Sequence, residues 1–113
     1  MSWDATLTDN YGDEIGDWNY THNTSAMIYE ALSRAGVALS KQERWYTRLD
    51  GMWGTEGRTY LTTIVRQLED EPATFKAMNP QNGWGDYDGL LRILREMRDR
   101  VPDDFATRWE AGG

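Results

Sequence analysis

The spacing of the apolar residues changes once along this chain, and that change limits the folds open to it. Near the start, Trp3, Ala5 and Leu7 alternate with polar residues, which is the two-residue period of a strand with one buried face. From about residue 25 onward, the apolar residues recur every three or four positions, as they do on one face of a helix. A strand at the start and helices after it predict an α+β fold.

A turn sequence at residues 9–13 separates the first strand pattern, residues 2–8, from a weaker one at residues 14–20 that Gly16 interrupts. We therefore expect a small N-terminal antiparallel β-hairpin. The tail at residues 105–110 fits two structures, a last helical turn or an edge strand that returns to the hairpin.

Five helices are expected after the hairpin, because each apolar stripe has its own start or stop signal. Asn23 or Thr24 is expected to cap the first helix, and Asp86 the last. Ser40 and Glu43 have the spacing of a capping box and predict the start of the second helix. The expected helices are residues 25–35, 41–49, 55–70, 72–77 and 87–101.

The chain has 113 residues, 39% of them hydrophobic, which predicts one folded domain over residues 1–113. The five expected helices make this domain mainly helical. It has no cysteine, so disulfides, thiolate zinc sites and cysteine nucleophiles are excluded. The formal net charge of −7 argues against direct nucleic acid binding, which needs a basic patch for the phosphates. The first residues lack a signal-peptide pattern and no apolar run is long enough to span a membrane, so we expect a cytoplasmic protein that does not bind membranes.

Two short segments carry more polar and aromatic groups than folding alone requires. They are residues 17–24 and residues 79–87, and each lies directly before a helical pattern. Flat rings beside hydrogen-bonding amides are typical of binding sites on loops. The sequence predicts that the two segments converge on one ligand site, whose residues are Asn19, Tyr20, His22, Asn23, Asn82, Trp84 and Asp86.

Structural roles compete with this interpretation. The polar residues can be local turn and cap residues, or the two segments can fasten to each other and only hold the fold. Trp84 lies between two glycines, so its ring either fills a gap in the core, which the sequence favours because buried tryptophan is common, or is presented for stacking. Asp86 has a sufficient role as a helix cap. His22 is expected to hydrogen-bond a ligand rather than to act as a general base.

No cofactor or metal is expected. The spacings of phosphate-binding and dinucleotide-binding glycine loops are missing. The turn at residues 9–14 lacks the ligand pattern of a calcium loop, and one histidine cannot build a zinc site. Arg48 or Arg58 can supply charge to an anionic ligand, and Arg58 lies in the first turn of the expected third helix.

Three motifs together resemble a group of small proteins of bacteriophages and prophages, often from GC-rich hosts such as actinobacteria. The motifs are residues 17–23, Leu49-Asp50-Gly51 and residues 79–87. The resemblance covers about residues 3–102 and implies a phage accessory protein that acts in the host cytoplasm. This group offers no assigned activity and no catalytic residues to carry over.

Three functions are consistent with the sequence. The first is a non-enzymatic protein that binds a small polar, nucleotide-like ligand between the two segments. The second is a protein-interaction module that inhibits or redirects a host protein. The third is a small enzyme that uses His22 with Asp17 or Asp86, which no nucleophile or metal supports. The sequence leaves the oligomeric state open.

Overall fold

Both ends of the chain contribute to a three-stranded antiparallel sheet. The structure is a computed structural model that describes residues 1–103 and 106–113. The strand order is β2-β1-β3, so the N-terminal strand lies in the centre. The expected hairpin is confirmed, and the tail forms the edge strand rather than a helical turn. Phe105, which the expected tail included, lies outside the described residues. The strands are β1 (Ser2–Thr8), β2 (Glu14–Thr21) and β3 (Arg108–Gly112).

The described residues include five α-helices, which pack on the sheet or on one another and confirm the mainly helical α+β fold. They are α1 (Ser25–Arg34), α2 (Trp45–Leu49), α3 (Gly54–Asp70), α4 (Pro72–Lys76) and α5 (Tyr87–Arg100). The long α3 lies at the centre of the helical layer and packs against both α1 and α5. Their apolar faces and the inner face of the sheet form one hydrophobic core.

The second helix begins four residues later than the capping-box pattern predicts. Half of the box is present, because Glu43 Oε1 accepts a hydrogen bond from the Ser40 backbone N–H at 3.1 Å. The same carboxylate also accepts from the Arg48 guanidinium, at 2.8 and 3.1 Å, and the chain makes a turn before the helix begins at Trp45. This turn carries the indole of Trp45 into the core, where it is fully buried.

The entry to α1 also differs from its prediction. A single 3-10 turn, His22–Thr24, precedes the helix, and its cap is Thr21, whose hydroxyl accepts from the Asn23 N–H at 3.2 Å. Thr24 makes no side-chain cap bond. Its hydroxyl instead donates to the Thr21 carbonyl at 3.0 Å. Neither Asn23 nor Thr24 therefore caps the helix with its side chain, and the capping residue is Thr21, directly before the 3-10 turn.

Strand β3 is fixed to α3 by a close contact between an indole and a glycine. Trp109 is fully buried, and its Nε1 donates to the Gly54 carbonyl at 3.3 Å. A Cβ atom at Gly57 would lie 2.3 Å from both Cδ1 and Nε1 of this ring. Glycine at this helical position therefore lets the C-terminal strand pack directly on the helix backbone.

We expect Gly57→Ala to destabilise the fold, although alanine is the better helix former by about 1 kcal/mol. The added methyl overlaps the buried Trp109 ring, and overpacking of this kind costs about 1–3 kcal/mol. Urea unfolding measures the difference. The control is Gly112→Ala, where a Cβ meets nothing within 4 Å. A Gly57→Ala protein as stable as the natural one would contradict the contact.

Two tyrosine hydroxyls are buried against backbone carbonyls in the helical layer. Tyr60 donates to the Trp45 carbonyl at 2.8 Å, and Tyr87 donates to the Leu68 carbonyl at 2.6 Å. Burial raises the pKa of both Tyr60 and Tyr87, because it disfavours the charged phenolate. Both hydroxyls therefore stay protonated in the folded protein at a pH where the unfolded chain loses these protons.

This difference between folded and unfolded states determines how the free energy of unfolding changes at alkaline pH. A pKa raised in the folded state gives stability that is complete below the unfolded pKa, about 10 for tyrosine, and is lost as pH rises from there towards the folded value. We expect the free energy of unfolding to fall above about pH 10, and to fall less steeply in the Tyr60→Phe, Tyr87→Phe double variant. Urea titrations at a series of pH values measure the slopes. Equal slopes would exclude these two groups as the cause.

Candidate functional site

The first polar segment is the end of a strand rather than a loop. Asn19 and Tyr20 belong to β2 and pair with Asp4 and Trp3 of β1. The alternation of the strand leaves Asn19 exposed and Tyr20 half-buried. The chain then enters the 3-10 turn and α1. The strand therefore presents the two side chains in opposite directions, and only the Tyr20 side packs against the helices.

The second polar segment is a true loop, residues 77–86, which we call the Trp84 loop. The Asn79 side chain closes it by accepting from the Tyr87 N–H at 2.8 Å. Asp86 caps α5 as predicted, since its Oδ1 accepts from the Gly89 N–H at 2.7 Å. The carboxylate at the end of the loop therefore has the structural role that the sequence indicated.

The Tyr20 hydroxyl joins the sheet to the end of the Trp84 loop. It accepts a hydrogen bond from the Asp86 N–H at 3.1 Å. A Cβ at Gly89 would lie 2.2 Å from this hydroxyl, and a Cβ at Gly85 would lie 3.3 Å from it. Gly85 also has φ of 89°, a conformation that residues with a side chain rarely adopt. The two glycines therefore leave room for the phenol between the loop and the first turn of α5.

The backbone of Trp84 is hydrogen-bonded at both its N–H and its carbonyl, whereas its ring is exposed to solvent. Its N–H donates to Asn82 Oδ1 at 3.0 Å, and its carbonyl accepts from Asn23 Nδ2 at 3.4 Å. The residue is 70% exposed. The interpretation that this ring fills a gap in the core is therefore wrong. The glycines on both sides let the backbone turn back on itself, and the ring points away from the fold.

The two predicted segments do converge. Tyr20 and Asn23 of the first contact Asp86 and Trp84 of the second through direct hydrogen bonds. Much of the hydrogen-bonding capacity is used by these contacts, as expected if the segments fasten to each other. Some capacity remains, because Asn23 Oδ1 and Asn82 Nδ2 make no hydrogen bond to the described residues. Asn19 makes no side-chain hydrogen bond to them either.

His22 points towards different neighbours. Its Nδ1 lies 3.4 Å from Ser25 Oγ, and its ring centroid lies 5.6 Å from that of Tyr46. A Cβ at Gly113 would lie 2.8 Å from His22 Nε2 and Cε1, so the ring packs beside the C-terminal residues. No carboxylate of residues 1–103 or 106–113 forms an ion pair or hydrogen bond with it. The least favoured alternative, an enzyme that uses His22 with Asp17 or Asp86, therefore has no such contact within the described residues.

A second polar surface lies away from both segments, and the sequence reasoning found only part of it. An open cleft of about 540 Å³ lies between α3 and the C-terminal end of α5. Arg58, the expected anion contact, lines it together with Arg66 and Arg98. The four-residue spacing of Arg58, Thr62 and Arg66 is a signal that places these residues on one helix face. Arg98 comes from a different helix, so no local pattern connects it with them.

Comparisons with protein-family models, with curated proteins and with solved structures find no match for this chain. Within the described ranges, no group of three or more His, Asp or Glu side chains is placed to hold a metal ion. Across those same ranges, no helix is both long and apolar enough to cross a membrane. The case for a functional site therefore rests on the geometry of the described residues.

We expect Gly89→Ala to lower the free energy of unfolding by about 1–3 kcal/mol, because the new methyl overlaps the Tyr20 hydroxyl. In a Tyr20→Phe background the penalty should be smaller by at least about 0.5 kcal/mol, since the overlapping atom is gone. Urea unfolding of the four proteins in this double-mutant cycle measures the coupling. Tyr11→Phe replaces an exposed hydroxyl in the hairpin turn and is the control background. Equal penalties in all three backgrounds would contradict the Tyr20–Gly89 contact.

Proposed function

We propose that this chain is a non-enzymatic binding protein that docks on a partner protein through the ring of Trp84. The observation that carries the proposal is that Trp84 is 70% exposed while its backbone N–H and carbonyl are both hydrogen-bonded. Tryptophan is among the residues that most often dominate the energy of a protein interface. An indole that leaves water on binding contributes a large apolar area.

Preorganisation supports a binding role for this ring. Tyr20 holds the Asp86 N–H, Asn23 and Asn82 hold Trp84, and Asp86 caps α5. The backbone under the indole is therefore ordered before any partner arrives. Binding then loses little backbone entropy, which is the general reason why rigid loops bind more tightly than flexible ones.

The charge around Trp84 indicates the chemistry of the partner surface. Asp86 and Asp88 are exposed and follow the ring closely in the chain, and the whole protein has a formal net charge of −7. An apolar pocket bordered by basic side chains would fit this arrangement. The resemblance to small phage proteins suggests a bacterial host protein as the partner, and this setting stays a prediction.

Alanine substitution of Trp84 tests the proposal directly. We expect an immobilised natural protein to retain one host protein in stoichiometric amount from an actinobacterial lysate. Trp84→Ala should weaken that binding by about 2–4 kcal/mol, roughly 30-fold or more. Isothermal titration with the purified partner gives the affinity. The fold should survive, because the ring is outside the core.

Tyr11→Ala is the matched control, because Tyr11 is another aromatic residue that is 83% exposed and lies in the hairpin turn. Its loss should leave the partner bound. Retention of the same partner by Trp84→Ala, or the lack of any stoichiometric partner, would reject docking through Trp84.

A small polar ligand is the second candidate function, and one observation favours it. Asn23 Oδ1, an acceptor, and Asn82 Nδ2, a donor, come from the two residues that hold the backbone of Trp84. A free donor and acceptor beside an exposed ring are suited to a flat heterocycle such as a nucleobase. Acrylamide quenching of tryptophan fluorescence separates the two candidates. A nucleoside that protects Trp84 at millimolar concentration would favour the small ligand.

A further inference from the structure

We propose that the cleft between α3 and α5 is a second binding site, and that it binds a small molecule carrying two or more linked phosphates. Its volume of about 540 Å³ lies in the range of about 300–1,000 Å³ that is usual for small-molecule sites. The proposal is independent of Trp84, since none of the residues lining the cleft belongs to the Trp84 loop.

The charge of the cleft is opposite to that of the protein. The whole chain has 19 acidic and 12 basic residues other than histidine. Of the described residues, three arginines, Arg58, Arg66 and Arg98, and one acid, Asp99, line the cleft. Guanidinium groups bind phosphate oxygens through paired, charge-assisted hydrogen bonds. A local excess of arginine on an acidic protein therefore favours a phosphate ligand.

The arginines are only partly neutralised by the fold. Arg66 is exposed and forms no ion pair within the described part of the chain. Arg58 pairs with Asp103 at 2.6 Å, and the side chain of Asp103 is 90% exposed, so water competes strongly for that carboxylate. Arg98 pairs with the adjacent Asp99 at 2.8 Å. Arg66 is thus available for a ligand, and Arg58 can exchange its exposed partner for one.

The arrangement of these groups favours a ligand with more than one phosphate. Arg58 and Arg66 lie eight positions apart on one face of α3, which separates their backbones by about 12 Å along the helix axis. Arg98 faces the same cleft from α5. One phosphate group fills one or two guanidinium forks, whereas a chain of phosphates can contact all three.

Three threonines of α3 add hydroxyl groups to the lining of the cleft. Thr59, Thr62 and Thr63 line it, and each hydroxyl donates to the carbonyl four residues earlier, at 2.7 to 3.2 Å. Those carbonyls lie inside α3, where they also accept the regular helical N–H bonds. Each hydroxyl can therefore turn towards a phosphate oxygen without leaving a backbone group unpaired.

The net charge of the protein favours a small ligand over a nucleic acid strand. A strand would extend beyond the cleft, and its phosphates would be repelled by a protein whose formal net charge is −7. A compact polyphosphate fits inside the cleft and avoids this repulsion. The shared chemistry is that of inorganic polyphosphate and of nucleoside di- and triphosphates.

Isothermal titration with sodium tripolyphosphate at constant ionic strength tests the proposal. We expect saturable binding, about tenfold or more weaker in Arg66→Gln, because a hydrogen bond to a charged group is lost. Arg66→Gln should fold normally, since this exposed side chain forms no ion pair with the residues that the structure describes. Arg98→Gln is a second variant with the same expected result. Adenosine triphosphate and adenosine, titrated in parallel, distinguish a nucleotide from a bare phosphate chain.

Arg92→Gln is the matched control. Arg92 lies on α5 outside the cleft, and its substitution by glutamine changes the net charge by the same amount as Arg66→Gln. Its side chain is 64% exposed and, among the described residues, forms an ion pair with Glu96 alone. Binding should be unchanged in this variant. Lack of tripolyphosphate binding at millimolar concentration, equal weakening in Arg92→Gln, or tighter binding of single-stranded DNA would each overturn the proposal.

Discussion

Close contacts between aromatic side chains of the sheet and glycines of the helices organise this protein. The sheet has three strands and one buried face, and it is joined to the helical layer at two such contacts. The Trp109 indole packs on Gly57 of α3, and the Tyr20 phenol packs on Gly89 of α5. In both places a methyl group would overlap the ring or its hydroxyl, so the elements meet at backbone distance. Close packing of this kind defines one relative position of sheet and helices.

The Tyr20 contact connects the fold with the proposed docking surface. The hydroxyl that lies against Gly89 also accepts the Asp86 N–H, and this bond positions the end of the Trp84 loop. Asn23 and Asn82 then hold the backbone of Trp84. Most polar side chains of the two segments thus form hydrogen bonds within the fold. These bonds hold the backbone of Trp84 in a position that leaves its indole exposed. A structural role for these residues and a binding role for Trp84 are therefore compatible.

The two proposed surfaces use opposite ends of α5. The Trp84 loop leads into the first turn of this helix, whereas Arg98 and Asp99 line the cleft near its last turn. The helix has 14 residues and is about 21 Å long. Two exposed carboxylates, Asp86 and Asp88, follow Trp84 in the chain, and three arginines line the cleft. The protein therefore has an exposed indole followed by carboxylates at one end of α5 and an arginine-lined cleft at the other.

Local patterns along the chain were enough to predict the fold class, the hairpin and the five helices. These depend on local periodicity and on local signals such as the Asp86 cap. Local signals were least accurate where tertiary contacts compete with them. Helix α2 begins later than predicted, because Glu43 also binds Arg48 and because Trp45 is buried in the core. The choice of a strand for the tail required its partner β1, which lies about 100 residues earlier.

For the candidate site, the sequence identified the two segments and could not decide which of their groups would remain free. Trp84 has the same neighbours in the chain whether its ring is buried or exposed. The ring is exposed because hydrogen bonds from distant residues, Tyr20 and Asn23, position the backbone of the loop around it. The arginine cleft is a similar case, because Arg66 and Arg98 come together only when α3 and α5 pack. Periodicity determines which face of each element is buried, whereas groups from distant segments meet only through packing.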